Sequence, residues 1–400
     1  MWLARDREKE SERDAGKNNA ISILYLITDS DFGGTEASVS RLACGMKQRG
    51  MQVIVCSMKR PGFMAQELER RGIGVTHLNL PQRITFRYPL QFTIGFLRFR
   101  RLLRRTAPDI VHSFLFQANL MAGISRFLAL GKRARIIASV RCIDRNKAQW
   151  RILLDRWALK RADMVMAVSK AVKKRYCDRE GIASDAIRVV YHGVEERLLE
   201  EGRAGASIRA RLDIKQGEWL IGTAARLHRD KGLGMLLQGF ARIGASIPRV
   251  RLLIVGDGPE REALRGMAER LGIAERVIFA GFQPDVLPWM ASLDIFCLTS
   301  EEEGLPQSLL EAMALGRPVV ATRVGGTGEV IGREGKEGIL IPPGDADALC
   351  RAVVSLIRSP RDAQRMGNEA RERIRREFLI EDTLEKMAGL YEECIAQERP

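Results

Sequence analysis

Two glutamates near residue 300 stand where they could hold the hydroxyl groups of a sugar. In EEEGLPQSLLEAMALGRPVVAT, residues 301–322, Pro306 and Gly316 mark the two ends of a helix. Glu303 then falls in the loop before the helix and Glu311 in its second turn. A buried carboxylate without partners is costly, and vicinal sugar hydroxyls are suitable donors. We expect one carboxylate to hold a transferring sugar and the other a ribose; a structural arginine as partner is the alternative.

Basic residues, glycines and a helix start at other strand ends suit the phosphates of the same ligand. Arg226 and Lys231 follow the strand WLIGTAA, where their charges could neutralise a diphosphate; two solvated cations are the alternative. Three glycine turns let backbone N–H groups approach a ligand at the positive end of a helix, and for the first of them a tight turn alone is the alternative. These glycines are Gly33 and Gly34, Gly256 and Gly258, and Gly325 and Gly326.

Short apolar strands alternate with helical stretches in both halves of the chain. Strands such as ISILYLIT (21–28) and DIVHSF (109–114) are largely apolar, which is typical of a parallel sheet covered on both faces. Residues 195–217 are polar and charged, as a connection between domains would be. We therefore predict an α/β architecture of two Rossmann-like, doubly wound parallel-sheet domains that face each other across a cleft. The predicted parts are a disordered tail (1–20), an N-terminal domain (21–197), a C-terminal domain (198–378) and a helix packing back toward the N-terminal domain (379–400).

The composition fits two packed domains with an uneven charge. The chain has 400 residues, of which 46% are apolar, and a net charge of +15. Residues 21–194 carry 31 Lys and Arg against 12 Asp and Glu, whereas residues 195–400 carry 29 against 33, so the N-terminal half should face something anionic. Seven scattered cysteines without a C-x-x-C indicate reduced thiols and a cytoplasmic protein. We expect neither a signal peptide nor a membrane-spanning segment.

With these motifs the chain resembles the retaining GT-B glycosyltransferases of the family 4, or group 1, type. Residues 301–322 look like the family's E-x7-E signature, and the resemblance extends over most of residues 21–378. It includes FGGTE, DIVHSF, VVYHGVE, GTAARLHRDKG, IVGDGPERE, FAGF and GEVI. Together these motifs are specific for the family and not for the sugar that it transfers.

The resemblance implies roles for the matching residues. Glu303 would hydrogen-bond the hydroxyls of the donor sugar, and Glu311 those of the ribose. Arg226 and Lys231 would neutralise the leaving diphosphate. His112, at the end of the fourth strand, would touch the transferring sugar and help to shape the reaction centre, unless it is a satisfied core histidine. The other donor-binding residues would be Gly33, Gly34, Gly256 and Gly258, together with the backbone of Leu305, Pro306, Gln307 and Ser308.

The resemblance also implies an activity. A sugar would pass from a nucleoside-diphosphate sugar, UDP by family prevalence, to a glycan or lipid-linked acceptor in cell-surface polysaccharide or glycolipid synthesis. The N-terminal domain would bind the acceptor and the C-terminal domain the donor. No metal or other cofactor would be needed, and the front-face route would retain the anomeric configuration. Two places depart from the family: His192 stands where Asn is common, and the loop 141–150 matches nothing.

The segment RITFRYPLQFTIGFLRFRRLLRR, residues 83–105, carries seven arginines and no acid. Phe92, Phe96, Phe99 and Leu103 fall on one helical face, which is the pattern of an interfacial helix. We predict peripheral contact with the anionic inner face of the membrane through this helix. A core helix with a basic outer face is the alternative.

Three other functions stay open on the residues alone. A nucleic-acid binder would also be basic, but no helix-turn-helix, RRM or zinc signature accompanies the charge, and we expect no nucleic-acid partner. A dinucleotide oxidoreductase needs a third glycine in the first strand–helix turn and a ribose-binding acid at the end of the second strand, and the chain lacks both. A nucleotide-sugar epimerase would share the two-domain architecture, and turnover of the donor without an acceptor would identify it.

Overall fold

A computed structural model describes residues 20–30, 33–81, 88–128, 134–144, 147–200 and 205–396. The predicted tail up to residue 19, and the first residues of the basic segment at 83–87, lie outside this part of the chain. Within it, the predicted α/β architecture of two Rossmann-like domains is confirmed, and both sheets are parallel throughout.

The N-terminal domain is built on a seven-stranded sheet of order β3-β2-β1-β4-β5-β6-β7. Its strands are β1 (Ser22–Ile27), β2 (Gln52–Ser57), β3 (Gly74–His77), β4 (Ile110–Phe114), β5 (Arg135–Val140), β6 (Met164–Ala167) and β7 (Ile187–Val189). Its helices are α1 (Gly34–Gln48), α2 (Phe63–Arg70), α3 (Tyr88–Thr106), α4 (Leu115–Phe127), α5 (Gln149–Leu159) and α6 (Lys170–Glu180).

The C-terminal domain repeats the plan with six strands in the order β10-β9-β8-β11-β12-β13. Its strands are β8 (Trp219–Ala224), β9 (Val250–Val255), β10 (Val277–Gly281), β11 (Ile295–Leu298), β12 (Val319–Thr322) and β13 (Ile339–Ile341). Helices α7 to α15 span Ala206–Arg211, Leu233–Ser246, Arg261–Arg270, Leu287–Ala291, Gln307–Ala314, Thr327–Ile331, Ala346–Arg358, Pro360–Glu377 and Ile380–Ala396.

The strand order fixes where a ligand can bind. In each sheet the order reverses beside the first strand, between β1 and β4 and between β8 and β11. Loops at the carboxyl ends of strands diverge at such a switch point and leave a crevice. The residues predicted to do chemistry follow these strands in sequence, so the two crevices present them from both domains.

The last helix, α15, packs on the N-terminal domain. Its inward face joins the core formed by β1, β2 and α1; the contributing residues are Ile380, Leu384, Met387, Tyr391 and Cys394. The chain therefore crosses between the domains twice, and the two crossing segments are hydrogen-bonded to each other. The N–H of Val194 donates to the Phe378 carbonyl and the N–H of Ile380 to the Val194 carbonyl, each at 2.9 Å. A Cβ on Gly193 would collide with the Leu379 backbone, so this position needs glycine.

The predicted connection at 195–217 is not a free linker in its described part. Leu198 and Leu199, in a 3-10 turn, are buried in a core that both domains share. Arg209 in α7 donates to the Asp294 carboxylate at 3.0 Å and to the Glu218 carbonyl at 2.8 Å. The polar character that indicated a linker instead serves these bonds to the C-terminal domain.

The basic helix α3 turns its aromatic face inward. Phe99 and Leu103 are buried against the sheet, and Phe92 and Phe96 pack half-buried on the same core. The sheet therefore covers the aromatic face, as in the core-helix alternative, and membrane contact through this helix stays a prediction. The outer face instead exposes Leu90, Ile94 and Leu97, at 64%, 42% and 53%. No helix in the described part of the chain has the length and apolar character to span a bilayer.

Candidate active site

The two predicted acids lie on either side of the start of α11. Glu303 lies in the loop before the helix, and Glu311 is buried in its second turn. The helix has no side-chain cap at Pro306, so the N–H groups of its first turn are available to a ligand. The arrangement thus places acceptors for hydroxyls at both ends of a row of donors suited to phosphate.

Each carboxylate keeps one oxygen open. Oε1 of Glu303 accepts from Lys231 Nζ at 2.8 Å and from Ser300 Oγ at 2.7 Å. Oε1 of Glu311 accepts from Gln307 Nε2 at 2.9 Å and lies 3.5 Å from Arg41 Nη1. Within the described residues, Oε2 of neither glutamate has a hydrogen-bond partner. A protein contact therefore orients each side chain while leaving an oxygen for a ligand.

The pairing of Lys231 with Glu303 bears on the separate binding roles predicted for these two residues. We expected the lysine at the phosphates and the glutamate at the sugar, but the two form an ion pair that is mostly buried. Burial alone would lower the pKa of Lys231, yet the attraction of Glu303 outweighs it and raises that pKa. Because Lys231 is held at Glu303, its charge can reach a phosphate only if the phosphate site lies directly beside the sugar site.

Arg226, the other predicted cation, is exposed and makes no ion pair with any described residue. It follows β8 in a turn that two glycines support. A Cβ on Gly256 would collide with the Ala225 carbonyl, and one on Gly258 with the Leu227 carbonyl. These two glycines therefore let one backbone loop pack against another, and their direct role is to hold the turn that carries Arg226. A direct bond from either glycine to the donor stays a prediction.

The remaining glycines bring backbone to backbone near the glutamates. Across the cleft, Gly34 at the start of α1 faces Gln307, since a Cβ on Gly34 would lie 3.8 Å from Gln307 Cβ. A Cβ on Gly325 would collide with the Glu303 carbonyl, and one on Gly326 with that of Gly304. Gly33 is extended and precedes α1. Leu305 and Ser308 lie in the same loop and first helical turn. The structure thus gathers two of the three predicted glycine turns around one loop.

His112 is a buried histidine whose ring nitrogens are both occupied. Nδ1 lies 2.8 Å from Tyr391 Oη and Nε2 lies 2.7 Å from Ser139 Oγ, while the ring stacks on Phe114 at 4.2 Å between centroids. Burial, helped by the charge of Arg141, lowers its pKa to about 3, so the ring is neutral. In this arrangement His112 has no free nitrogen for a sugar, which fits the core alternative better than the predicted direct contact.

Sequence reasoning missed two residues that cross the cleft. Arg41 on α1 is the N-terminal domain's partner of Glu311. Glu329 on α12 accepts from the N–H groups of Lys170 and Ala171, at 2.8 Å each, and from Tyr191 Oη at 2.9 Å. Glu329 thus caps helix α6 of the opposite domain. The motif GEVI contained this glutamate, but nothing in the sequence named its distant partner.

No group of three or more His, Cys, Asp or Glu in the described residues is arranged to hold a metal ion. The cations near the two glutamates are instead protein side chains, Lys231 and Arg41. These two cations can attract an anion, and the open oxygens of the glutamates can accept from hydroxyl groups.

Comparisons with known proteins agree with this geometry. The profile of glycosyl transferases group 1 matches residues 206–373 and that of glycosyltransferase family 4 residues 32–198. N-acetyl-alpha-D-glucosaminyl L-malate synthase of Bacillus anthracis is 26% identical over 321 residues, 80% of this chain and 83% of that protein. The 2-deoxystreptamine N-acetyl-D-glucosaminyltransferase of Streptomyces fradiae is 29% identical over 348 residues, 80% of this chain and 82% of that protein.

The fold has a close structural counterpart as well. Anabaena Alr3699/HepE, solved in complex with UDP-glucose, matches with a TM-score of 0.83 at 22% identity, over 93% of this chain and all of that one. The two family profiles divide at the same place as the two domains, and together they cover most of the sequence. The chain therefore belongs to the GT-B glycosyltransferases of the family 4, or group 1, type.

Proposed function

We propose that the protein is a retaining glycosyltransferase that uses a nucleoside-diphosphate sugar, with uridine as the expected base. The acceptor is a glycan or a lipid-linked sugar of cell-surface polysaccharide or glycolipid synthesis. The observation that carries the proposal is the open oxygen on both Glu303 and Glu311, on either side of the uncapped start of α11. Hydroxyl acceptors separated by N–H donors fit a sugar and a ribose joined by a diphosphate. The UDP-glucose of the Anabaena structure is in line with this donor.

The geometry supports a role for each side chain in the transfer. Oε2 of Glu303 binds a hydroxyl of the donor sugar, while Oε1 holds Lys231 next to the phosphate that leaves. Arg226 and the first turn of α11 stabilise the negative charge of the departing nucleoside diphosphate. The acceptor hydroxyl then attacks from the face on which the leaving group departs. His112 acts as a positioning residue, since its ring connects Ser139 of β5 to Tyr391 of α15.

The proposal includes no metal ion. The ammonium of Lys231 and the guanidinium of Arg226 supply positive charge where other transferases use a divalent cation. Activity should therefore be the same after exhaustive dialysis against EDTA as before it. A loss of activity that Mg²⁺ or Mn²⁺ restores would contradict this part of the proposal.

Contact with a membrane is proposed through the outer face of α3. Leu90, Ile94 and Leu97 are exposed on one stripe, and four arginines of the same helix are exposed as well, namely Arg98, Arg101, Arg104 and Arg105. An apolar stripe with a cationic border and no acid suits the surface of an anionic bilayer. A lipid-linked acceptor would then be reached from the N-terminal domain.

Two experiments test the proposed function. Thermal unfolding with UDP, GDP and ADP and their sugars should reveal one nucleotide series that raises Tm, because a ligand that binds only the folded state stabilises it. NMR of the product made with that donor should then show the anomeric configuration of the donor. An inverted anomer would refute retention, and conversion of the donor without any acceptor would favour an epimerase.

A further inference from the structure

Three basic side chains of the N-terminal domain converge at the cleft. Arg41 comes from α1, Arg141 follows β5 directly, and His192 stands just before the first crossing between the domains. Arg141 Nη2 lies 3.1 Å from His192 Nδ1, so the arginine donates and the imidazole accepts. Burial and the charges of Arg141 and Arg41 lower the pKa of His192, which makes this ring neutral. The cluster therefore contains two guanidinium charges and one imidazole.

Several donors of this cluster have no partner among the described residues. In that part of the chain, Nε and Nη2 of Arg41 are buried without a hydrogen bond, and Nη1 lies 3.5 Å from Glu311, a long distance for a charged pair. Nε2 of His192 is buried and makes no hydrogen bond of ordinary geometry with any described residue, although the backbone of Leu305 lies close to the ring. Buried donors are almost always satisfied in folded proteins. Donors left open together at a cleft therefore indicate the place of a ligand.

The charge of the cluster is only partly balanced. Burial lowers the pKa of Arg141 to about 10, although Glu36 opposes this shift, and the nearby charge of Arg41 adds to it. Within the described residues, no carboxylate lies within 4.0 Å of Arg141. Glu311 is the acid next to Arg41, and burial raises the pKa of Glu311 despite that neighbour. An additional anion would thus relieve two buried cations.

Arg141 also connects the cluster to the acids of the donor site. Its carbonyl meets Gly304, where a Cβ would collide with it, and Gly304 adjoins Glu303. Its side chain lines two small cavities of the N-terminal domain. One contains His112 and His192, and the other contains Leu115, whose φ of 71° is strained for this residue type. A ligand group held by Arg141 would lie beside the reaction centre.

We propose that Arg41, Arg141 and His192 form an oxyanion site on the N-terminal side of the cleft, which takes a phosphate or carboxylate group of a substrate. The oxyanion belongs either to the acceptor or to the diphosphate of the donor, and the chemistry of recognition is the same for both. That the oxyanion is part of a substrate rests on the proposed function, whereas the site itself does not.

Calorimetric titration with inorganic phosphate and with malonate tests the site without any turnover. At constant ionic strength, Arg41→Gln and Arg141→Gln should each weaken the binding of both probes by roughly 10-fold or more, since each removes charged hydrogen bonds. Arg358→Gln, which removes an exposed charge at the end of α13, is the matched control and should bind as the unaltered protein does. If Arg141→Gln fails to fold, Arg141→Lys replaces it in the titrations.

Titrations in the presence of saturating UDP distinguish the two sources. If phosphate still binds beside UDP, the oxyanion is that of the acceptor, which must then be an anionic compound. If UDP displaces phosphate and the same variants weaken UDP, the oxyanion is that of the donor. The proposed site would be refuted if both arginine variants bound each probe as tightly as the unaltered protein does. It would also be refuted if the unaltered protein bound neither phosphate nor malonate. Neither result depends on sugar transfer, so the proposed function would stand or fall separately.

Discussion

Glu303→Gln is the substitution that most directly separates a sugar-binding glutamate from a structural one. The carboxylate holds Lys231 and Ser300 through Oε1, in a pair whose side chains are 12% and 23% exposed for Glu303 and Lys231. Glutamine keeps the shape and one oxygen but loses the charge. Because a hydrogen bond to a charged group contributes about 1.5–3 kcal/mol, we expect the free energy of unfolding to fall by about 1–3 kcal/mol.

The same change should reduce activity by its own mechanism. Loss of a charged hydrogen bond between Oε2 and a sugar hydroxyl, about 1.5–3 kcal/mol, corresponds to a roughly 10- to 150-fold lower kcat/KM. Urea unfolding gives the stability, and the release of nucleoside diphosphate from the donor chosen by thermal unfolding gives the rate. Glu301→Gln, an exposed neighbour in the same loop, is the matched control and should change neither quantity.

A double-mutant cycle with Lys231→Met completes the test. The coupling free energy of the pair in urea unfolding should be about 1–3 kcal/mol. The reasoning fails if Glu303→Gln loses this stability yet keeps kcat/KM within about twofold of the unaltered enzyme. In that case the glutamate only holds Lys231, and the open oxygen has no ligand.

Four further outcomes follow from contacts described above. Burial raises the pKa of Glu311, so its stabilising contribution is lost as pH rises through the folded-state pKa; in urea unfolding, Glu311→Gln should therefore gain stability relative to the unaltered protein as pH rises above about 4.3, the ordinary pKa of glutamate, while nucleotide affinity falls. Burial lowers the pKa of His112 to about 3, so stability is lost as pH falls below about 6.5; His112→Gln should flatten this acid dependence by up to about 1.4 kcal/mol per pH unit. Replacing Ile94 and Leu97 by Glu should abolish flotation with vesicles that contain phosphatidylglycerol. Glu329→Ala should cost about 1 kcal/mol and speed amide exchange at the first turn of α6, measured by mass spectrometry.

Each of these outcomes has a result that contradicts it. If the difference in free energy of unfolding between Glu311→Gln and the unaltered protein stayed constant over that pH range, burial would not penalise the ionised form of Glu311. If the free energy of unfolding of His112→Gln fell with acid as steeply as that of the unaltered protein, His112 would not be a buried neutral histidine. Flotation that survives the α3 substitutions but is lost in Ile395→Glu, an exposed control on α15, would place membrane contact elsewhere. Equal exchange at α6 would mean that Glu329 is not its cap.

The fold could be predicted from local patterns because buried parallel strands are apolar throughout and helices begin and end at recognisable residues. Pro306 and Gly316 located α11 in this way, and the structure has it at Gln307–Ala314. The partners of the side chains could not be predicted, because they come from distant parts of the chain. Arg41 meets Glu311 across 270 residues, and Tyr391 meets His112 across 279.

Helix α3 shows a second kind of limit. Its sequence contains two apolar stripes, one aromatic and one aliphatic, and both repeat with the period of a helix. Periodicity identifies each stripe but does not say which one the sheet covers. The larger aromatic side chains lie inside, where they bury more area, and the aliphatic stripe with Leu90 and Ile94 lies outside.

The return of α15 to the N-terminal domain has a consequence for synthesis on the ribosome. The core around β1 and α1 includes Met387 and Tyr391, and His112 bonds to the latter. The first domain to emerge is therefore also the one that is finished last, since its final helix leaves the exit tunnel after every strand of the second domain. A nascent chain of about half length would expose an apolar groove on α1, and chaperones that bind such surfaces would have the whole remaining time of translation to engage it.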